Sequence, residues 1–245
     1  MVPSNGVRIR GRVTGRVHHL LSRLEEACFR LVDWSDEVLD IREQYALWPL
    51  EETQAIAVDL GVRHPRHPRT REPIVMTTDF LVTVRGTFRP SLVAIACKPA
   101  DRLGEQRVLE KLEIERRYWA SRGVSWRIVT ERDVAPDVVA GLKWVAGNGA
   151  FQDLGVPAAL VPRLTDEVLR RVQAASGVPL NLACLSIDDR LGLALGTSLT
   201  LVRHALARRW WHVDWSGGVH PCRPLVGLRP CSGKSDQYHD RYDDR

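Results

Sequence analysis

Met76-Thr77-Thr78-Asp79-Phe80-Leu81-Val82-Thr83-Val84 and, past a turn around Gly86, Ser91-Leu92-Val93-Ala94-Ile95-Ala96-Cys97-Lys98-Pro99 decide the fold class. Both runs are rich in β-branched and apolar residues and bounded by turn residues. They predict an antiparallel strand pair, the first starting at Ile74 and the second stopped by Pro99. Each run carries one charge that an apolar strand tolerates only with a partner: Asp79 in the first and Lys98 at the end of the second.

Working outward, Val38-Leu39-Asp40-Ile41-Arg42-Glu43-Gln44-Tyr45 alternates enough to be a strand, and Glu52 to Leu60 reads as a short helix closed by Gly61. Val17, Leu20, Leu21, Leu24, Cys28 and Leu31 recur at helical spacing. They predict a helix from Gly15 to Val32 with Thr14 at its N-cap and Glu25 and Glu26 beside the apolar stripe. On the other side, Leu103 to Arg122 reads as a helix ended by Gly123, Val124 to Thr130 as a strand, and Pro136 to Val145 as a helix opened by its proline. The sum is α/β: a small mixed sheet with flanking helices.

The chain organises around that sheet. Residues 1–13 read as a basic arm and residues 14–146 as the sheet-bearing domain, with Gly147-Asn148-Gly149 as linker. Helices are expected at Thr165 to Ala175, Ile187 to Leu195 and Thr197 to Arg209, followed by the strand-like alternation of Trp210 to Trp215. Three helices and then a β element make residues 151–215 winged-helix-like. From Ser216 Gly, Pro and charge dominate, so residues 216–245 read as a flexible tail.

With 44% hydrophobic and 27% charged residues, the 245-residue composition excludes general disorder and coiled coil. No apolar run approaches the roughly 20 residues a membrane span needs, and the first residues lack the apolar core of a secretory signal. A soluble cytoplasmic protein is expected. The net charge of +5 is mostly an arginine excess, which suits a polyanion. Five scattered cysteines without a CxxC pair argue against disulfides and structural zinc.

Asp79, Lys98 and a helix carboxylate are the parts of Mg²⁺-assisted phosphodiester cleavage: carboxylates to hold the metal and a lysine to offset developing negative charge. The same two charges also suit a plain ion pair on a strand edge, and spacing alone does not separate the readings.

The segments Thr14-Gly15-Arg16-Val17-His18-His19-Leu20-Leu21-Ser22-Arg23-Leu24-Glu25, Val38 to Tyr45, Met76-Thr77-Thr78-Asp79-Phe80-Leu81-Val82 and Leu109-Glu110-Lys111-Leu112-Glu113-Ile114-Glu115-Arg116-Arg117-Tyr118-Trp119 resemble, in order and spacing, the TnsA family. These are endonuclease subunits of heteromeric bacterial transposases, and the resemblance runs from about Val2 to Trp144. It implies a restriction-endonuclease-like core of the PD-(D/E)xK kind and a helical C-terminal domain. It also implies Mg²⁺ (or Mn²⁺) as cofactor, hydrolysis at the 5′ ends of a transposon, a DDE transposase subunit that processes the 3′ ends, and a AAA+ ATPase regulator bound through the C-terminal domain. Carried over position by position, the helix acid falls on Glu25, the strand acid on Asp79 and the lysine on Lys98. Two residues before that lysine, where one member of the family has glutamine, stands Ala96; main-chain carbonyls near Ala96 and Cys97 are then the remaining candidate ligands.

Glu115, on the long helix of the motif, is either a group that orders Lys98 or a surface partner of Lys111. Arg16, His18, Arg63, Arg66 and Arg69 are the candidate DNA contacts, with His64 and His67 facing phosphate from the same Pro-Arg loop. A nuclease subunit is the leading expectation. A catalytically weak adaptor bridging transposase and ATPase is the alternative that Ala96 keeps open.

Overall fold

The computed structural model describes residues 6–146 and 156–231; the linker Gly147-Asn148-Gly149, residues 1–5 and residues 232–245 lie outside the described residues. The chain divides into two units between Ala135 and Pro136.

The first unit departs from expectation at its start. The residues read as an arm and a helix instead contain strand β1 (Val7–Arg10) pairing antiparallel with β2 (Val17–Leu20). Helix α1 then runs Arg23–Trp34, capped by Ser22 and not Thr14: the Ser22 hydroxyl accepts the Glu25 N–H. The cause is a buried polar residue. His18 and Leu20 point inward while Val17 and His19 are exposed, a period of two that the apolar count hid.

Next come β3 (Val38–Ala46), α2 (Leu50–Asp59), β4 (Thr77–Val84) and β5 (Ser91–Cys97). Gly61 is left-handed just past α2, as its position predicts. The expected long helix is a 3-10 turn at Ala100–Gly104, a break at Glu105 in extended conformation, and α3 (Gln106–Ala120). Strand β6 (Ser125–Val129) completes the sheet. Strand order is β3-β4-β5-β6; the first two pairs are antiparallel, and β5–β6 is parallel through the α3 crossover.

Both faces of the sheet are covered. On the α1 side Cys28, Phe29, Ile41, Phe80, Val82, Ile95 and Cys97 form one core; on the other, Leu47, Leu81, Ala94, Ile114, Tyr118 and Trp119 form a second. Each fully buried side chain of this size contributes about 1.5–3 kcal/mol, so the two cores fix the sheet between its helices. That fixes the strand ends on which Asp79 and Lys98 sit.

The second unit begins one helix earlier than residue 151. Helix α4 (Pro136–Ala146) belongs with α7 (Thr197–Ala207): the Arg203 guanidinium donates to the Trp144 carbonyl. A Cβ on Gly141 would lie 2.9 Å from the Val219 nitrogen, so only glycine lets the backbones approach this closely. Between them, α5 (Val161–Ala174) carries a proline in its first turn, and α6 (Leu180–Leu191) starts seven residues before the expected Ile187 and is ended by left-handed Gly192. The strand expected at Trp210 to Trp215 is two residues, β7 (Trp211–His212), paired with β8 (Arg229–Pro230). Part of the expected flexible tail is therefore structured: Val219 and Leu228 are buried, and Gln173 donates to the Leu228 carbonyl.

Candidate active site

Asp79 is the third residue of β4, and Lys98 directly follows β5 at the same end of the sheet. The carboxylate Oδ2 accepts the Cys97 N–H at 2.7 Å and the Lys98 Nζ at 3.0 Å; Nζ also donates to the Cys97 carbonyl at 3.0 Å. Burial by itself would lower the Lys98 pKa, but the Asp79 charge overrides it and holds the ammonium above its ordinary value. The two charges that the sequence made conspicuous are thus one another's partners.

Glu25 is buried at the start of α1. Its oxygens accept the Ser22 hydroxyl and the Leu21 N–H, both at 2.9 Å, while its own N–H donates to the Ser22 hydroxyl oxygen. Its charge and that of Asp79 both act on the Cys97 thiol. The Cys97 thiol hydrogen-bonds with Cys28 in the α1-side core, and that bond, burial, and the charges of Asp79 and Glu25 all hold it protonated well above the usual thiol range. Ala96 is completely buried and offers no side-chain oxygen.

Glu115 does not pair with Lys111 at the surface. It is buried on α3, where its carboxylate accepts the Thr78 hydroxyl, whose oxygen in turn accepts the Trp119 indole N–H at 2.7 Å. Burial raises its pKa from 4.5 to about 7, against the lowering effect of the Thr78 bond and with help from the Asp79 charge. The folded state therefore binds this proton more tightly than the unfolded state, so stability falls as pH rises from 4.5 to about 7, by on the order of 3 kcal/mol. Glu115→Gln should remove that part of the decline. Thermal midpoints measured from pH 4.5 to 8 check it, and equal pH dependence in both proteins would refute it.

One candidate DNA contact, His18, needs correcting. His18 is fully buried, its ring tilted against Phe29 with centroids 4.5 Å apart, with Nδ1 2.7 Å from Glu43 and Nε2 2.6 Å from Thr14 Oγ1; it cannot touch a phosphate. Arg16 is exposed, and its guanidinium donates to both Glu43 oxygens and the Ile41 carbonyl. Burial pushes the Glu43 pKa up, but the bonds from Arg16 and His18 bring it to about 2. Glu43 is the anchor of a structural network. His64 is likewise buried, bonded to Thr53 and the Pro65 carbonyl, and burial lowers its pKa. Arg63, Arg66 and Arg69, by contrast, are exposed on the loop that leads into β4 at the Asp79 end of the sheet. The loop is tied down where Arg107 donates to the Arg63 carbonyl and Arg66 to the Arg71 carbonyl.

The sequence reading missed Gln44 and Thr78. Gln44 Nε2 donates to Asp79 Oδ1 at 3.3 Å, and its Oε1 accepts the Thr77 hydroxyl at 3.0 Å. Inside an alternating strand nothing marked it out; the mid-strand threonine beside an aspartate was the one visible sign of Thr78.

Among the described residues no three of His, Cys, Asp and Glu stand close enough to hold a metal ion by themselves. No helix there is long and apolar enough to cross a membrane.

The family model described as TnsA-like endonuclease N terminal matches residues 35–131, and that described as TnsA endonuclease C terminal matches residues 133–215. Transposon Tn7 transposition protein TnsA of Escherichia coli is 39% identical over 205 residues, which cover 82% of this chain and 72% of that protein. Asp79, Lys98 and Glu115 all fall within the first match. An acid–lysine pair on adjacent strand ends, two successive family matches and a relative of this extent together show that the chain belongs to the TnsA family of transposition endonucleases.

Proposed function

We propose that this chain is the metal-dependent subunit that cuts the 5′ strand at transposon ends, beside a DDE transposase that processes the 3′ ends. The observation that carries the reading is the Asp79–Lys98 pair, fixed by the Cys97 N–H at one end of the sheet. The order α1, β3, β4, β5, α3, β6, with the acid on the middle meander strand and the lysine ending the next, supports a PD-(D/E)xK core.

The donor chemistry fits a hard divalent cation such as Mg²⁺ or Mn²⁺: Asp79 and Glu25 supply carboxylate oxygens, and the backbone near Ala96 and Cys97 supplies carbonyls. A ligand set of one or two carboxylates, with water and substrate phosphate completing it, is what Mg²⁺ ordinarily takes, so a closed protein cage is not required. When bound, the cation would polarise a phosphate oxygen and make a coordinated water more acidic.

The chain's own residues do the rest. The Lys98 ammonium, charged and held by Asp79, stabilises negative charge as water adds to phosphorus and one P–O ester bond breaks. Glu115, titrating near neutrality behind Thr78, keeps the interior face of this pair from carrying a full second negative charge. Exposed Arg63, Arg66 and Arg69 suit backbone phosphate contacts that position a duplex without reading its sequence.

In the second unit, α5, α6 and α7 followed by the β7–β8 pair support a winged-helix-like reading. Leu182 and Leu185, about half exposed on one side of α6, support a protein contact such as a AAA+ regulator. The setting would be the bacterial cytoplasm, on nucleoid DNA. The test is strand-specific nicking of transposon-end DNA by this chain assembled with its transposase partner. Mg²⁺-dependent cutting on the 5′ side is expected; cutting confined to the 3′ side, or metal-independent cutting, would overturn the reading.

A further inference from the structure

Strands β3 and β4 change face together at one register position. Ile41 lies in the α1-side core and Glu43 bonds His18 on that side, yet Tyr45, which a regular strand would place with them, packs 5.8 Å from Trp119 of α3. On β4, Phe80 and Val82 lie in the α1-side core, yet Thr78 bonds Glu115 and Trp119 of α3. The cross-strand pairs are Glu43 with Phe80 and Tyr45 with Thr78, so both inversions fall on Gln44 and Asp79. Gln44 achieves its inversion with φ 48°, a left-handed conformation uncommon for a residue with a Cβ. Such backbone persists only where surrounding structure enforces it, and it concentrates at functional sites.

The inversion sets the Gln44 amide against Asp79 Oδ1. The other oxygen, Oδ2, is already taken by Cys97 and Lys98. Oδ1 is therefore the oxygen left to face a cation or substrate. Buried Ala96 on β5 has no side-chain polar atom with which to orient it; Gln44 on β3 does.

We infer that Gln44 is a positioning residue for strand cutting: its amide occupies one lone pair of Asp79 Oδ1 and so aims the other at the reacting centre. The inference rests on the reading of Asp79 as the central carboxylate. Gln44 does not itself touch the phosphate.

Two variants and one control test it in the full chain. Gln44→Gly fits the left-handed backbone and removes the amide; Gln44→Met keeps the bulk and the strained backbone and removes only the hydrogen bonds. In both, single-turnover end cutting within the assembled transposase should fall about 10–100-fold, the scale of a small misplacement of a reacting group. Calorimetric affinity of the full chain for Mn²⁺ should weaken several-fold, while transposon-end binding stays within about twofold of the parent. Gln44→Gly should hold or raise the melting midpoint, so that loss of rate and loss of fold separate. A Gln44→Gly protein with parental rate and parental Mn²⁺ affinity would reduce the residue to a structural kink and overturn the inference. Asp79→Asn is the control. If it is inactive while both Gln44 variants are parental, only the inference about Gln44 fails; if it cuts at the parental rate, the reading of Asp79 fails and takes this inference with it.

Discussion

Asp79→Ala is expected to abolish cutting at the 5′ transposon end, a loss of at least about 10³-fold in single-turnover rate, because it removes the one carboxylate that meets Lys98 and the Cys97 N–H together. The substitution also leaves a buried N–H without an acceptor and a half-buried ammonium without its partner, at a cost of about 1–3 kcal/mol. Asp79→Asn separates the two effects. Its amide oxygen can still accept the Cys97 N–H, so the chain keeps its fold while losing the charge. Rate and thermal midpoint measured for both variants in the assembled transposase give the answer, and a parental rate for Asp79→Asn would dismantle the site.

Lys98→Ala should cost about 10²–10³ in rate, the usual loss when a single well-placed donor to developing negative charge is removed. Asp79 keeps its bonds from Cys97 and Gln44, so the carboxylate stays in position. DNA binding should weaken only slightly, with the slope of log affinity against log salt falling by no more than about one unit, since at most one phosphate contact is lost. The comparison is single-turnover cutting against equilibrium binding over a salt series. Cutting at the parental rate would make Lys98 a counter-ion and nothing more.

How far these residues could be read from the sequence depends on the range of the interaction that places them. Asp79 and Lys98 stood out because each interrupts an apolar strand, and that demand for a partner is local and one-sided. The antiparallel pair β4–β5 and the strands β3 and β6 were legible for a similar reason, being bounded by turns and stops such as Gly86, Pro99 and Gly123; the pairing of β3 and the parallel direction of β6 were not read. Strand β2 was not, because its inward residue is His18, whose burial is paid by Glu43 across 25 residues of chain. Nor was α6: Pro179 and Gly192 mark its ends, but Leu180-Asn181-Leu182 reads as alternation until Ala183 and Cys184 are seen buried together. Gln44 lay beyond any pattern. Its left-handed backbone is imposed by two packed faces at once, and no run of neighbouring residues encodes that.

The pairing of β7 with β8 bears on the order in which the protein is made. The first unit has every strand of its main sheet once Val129 has been synthesised, and α3 already precedes it. In the second, Trp211 and His212 wait for Arg229 and Pro230, and Gln173 waits for the Leu228 carbonyl, so these contacts close only when nearly the last described residue has joined the chain. Domains generally fold in the order of synthesis. A nascent chain would therefore display a finished sheet with Asp79 and Lys98 in place while the unit that follows it in the chain is still incomplete, and a message cut near Trp215 would release a protein with a formed first unit and an unclosed second one.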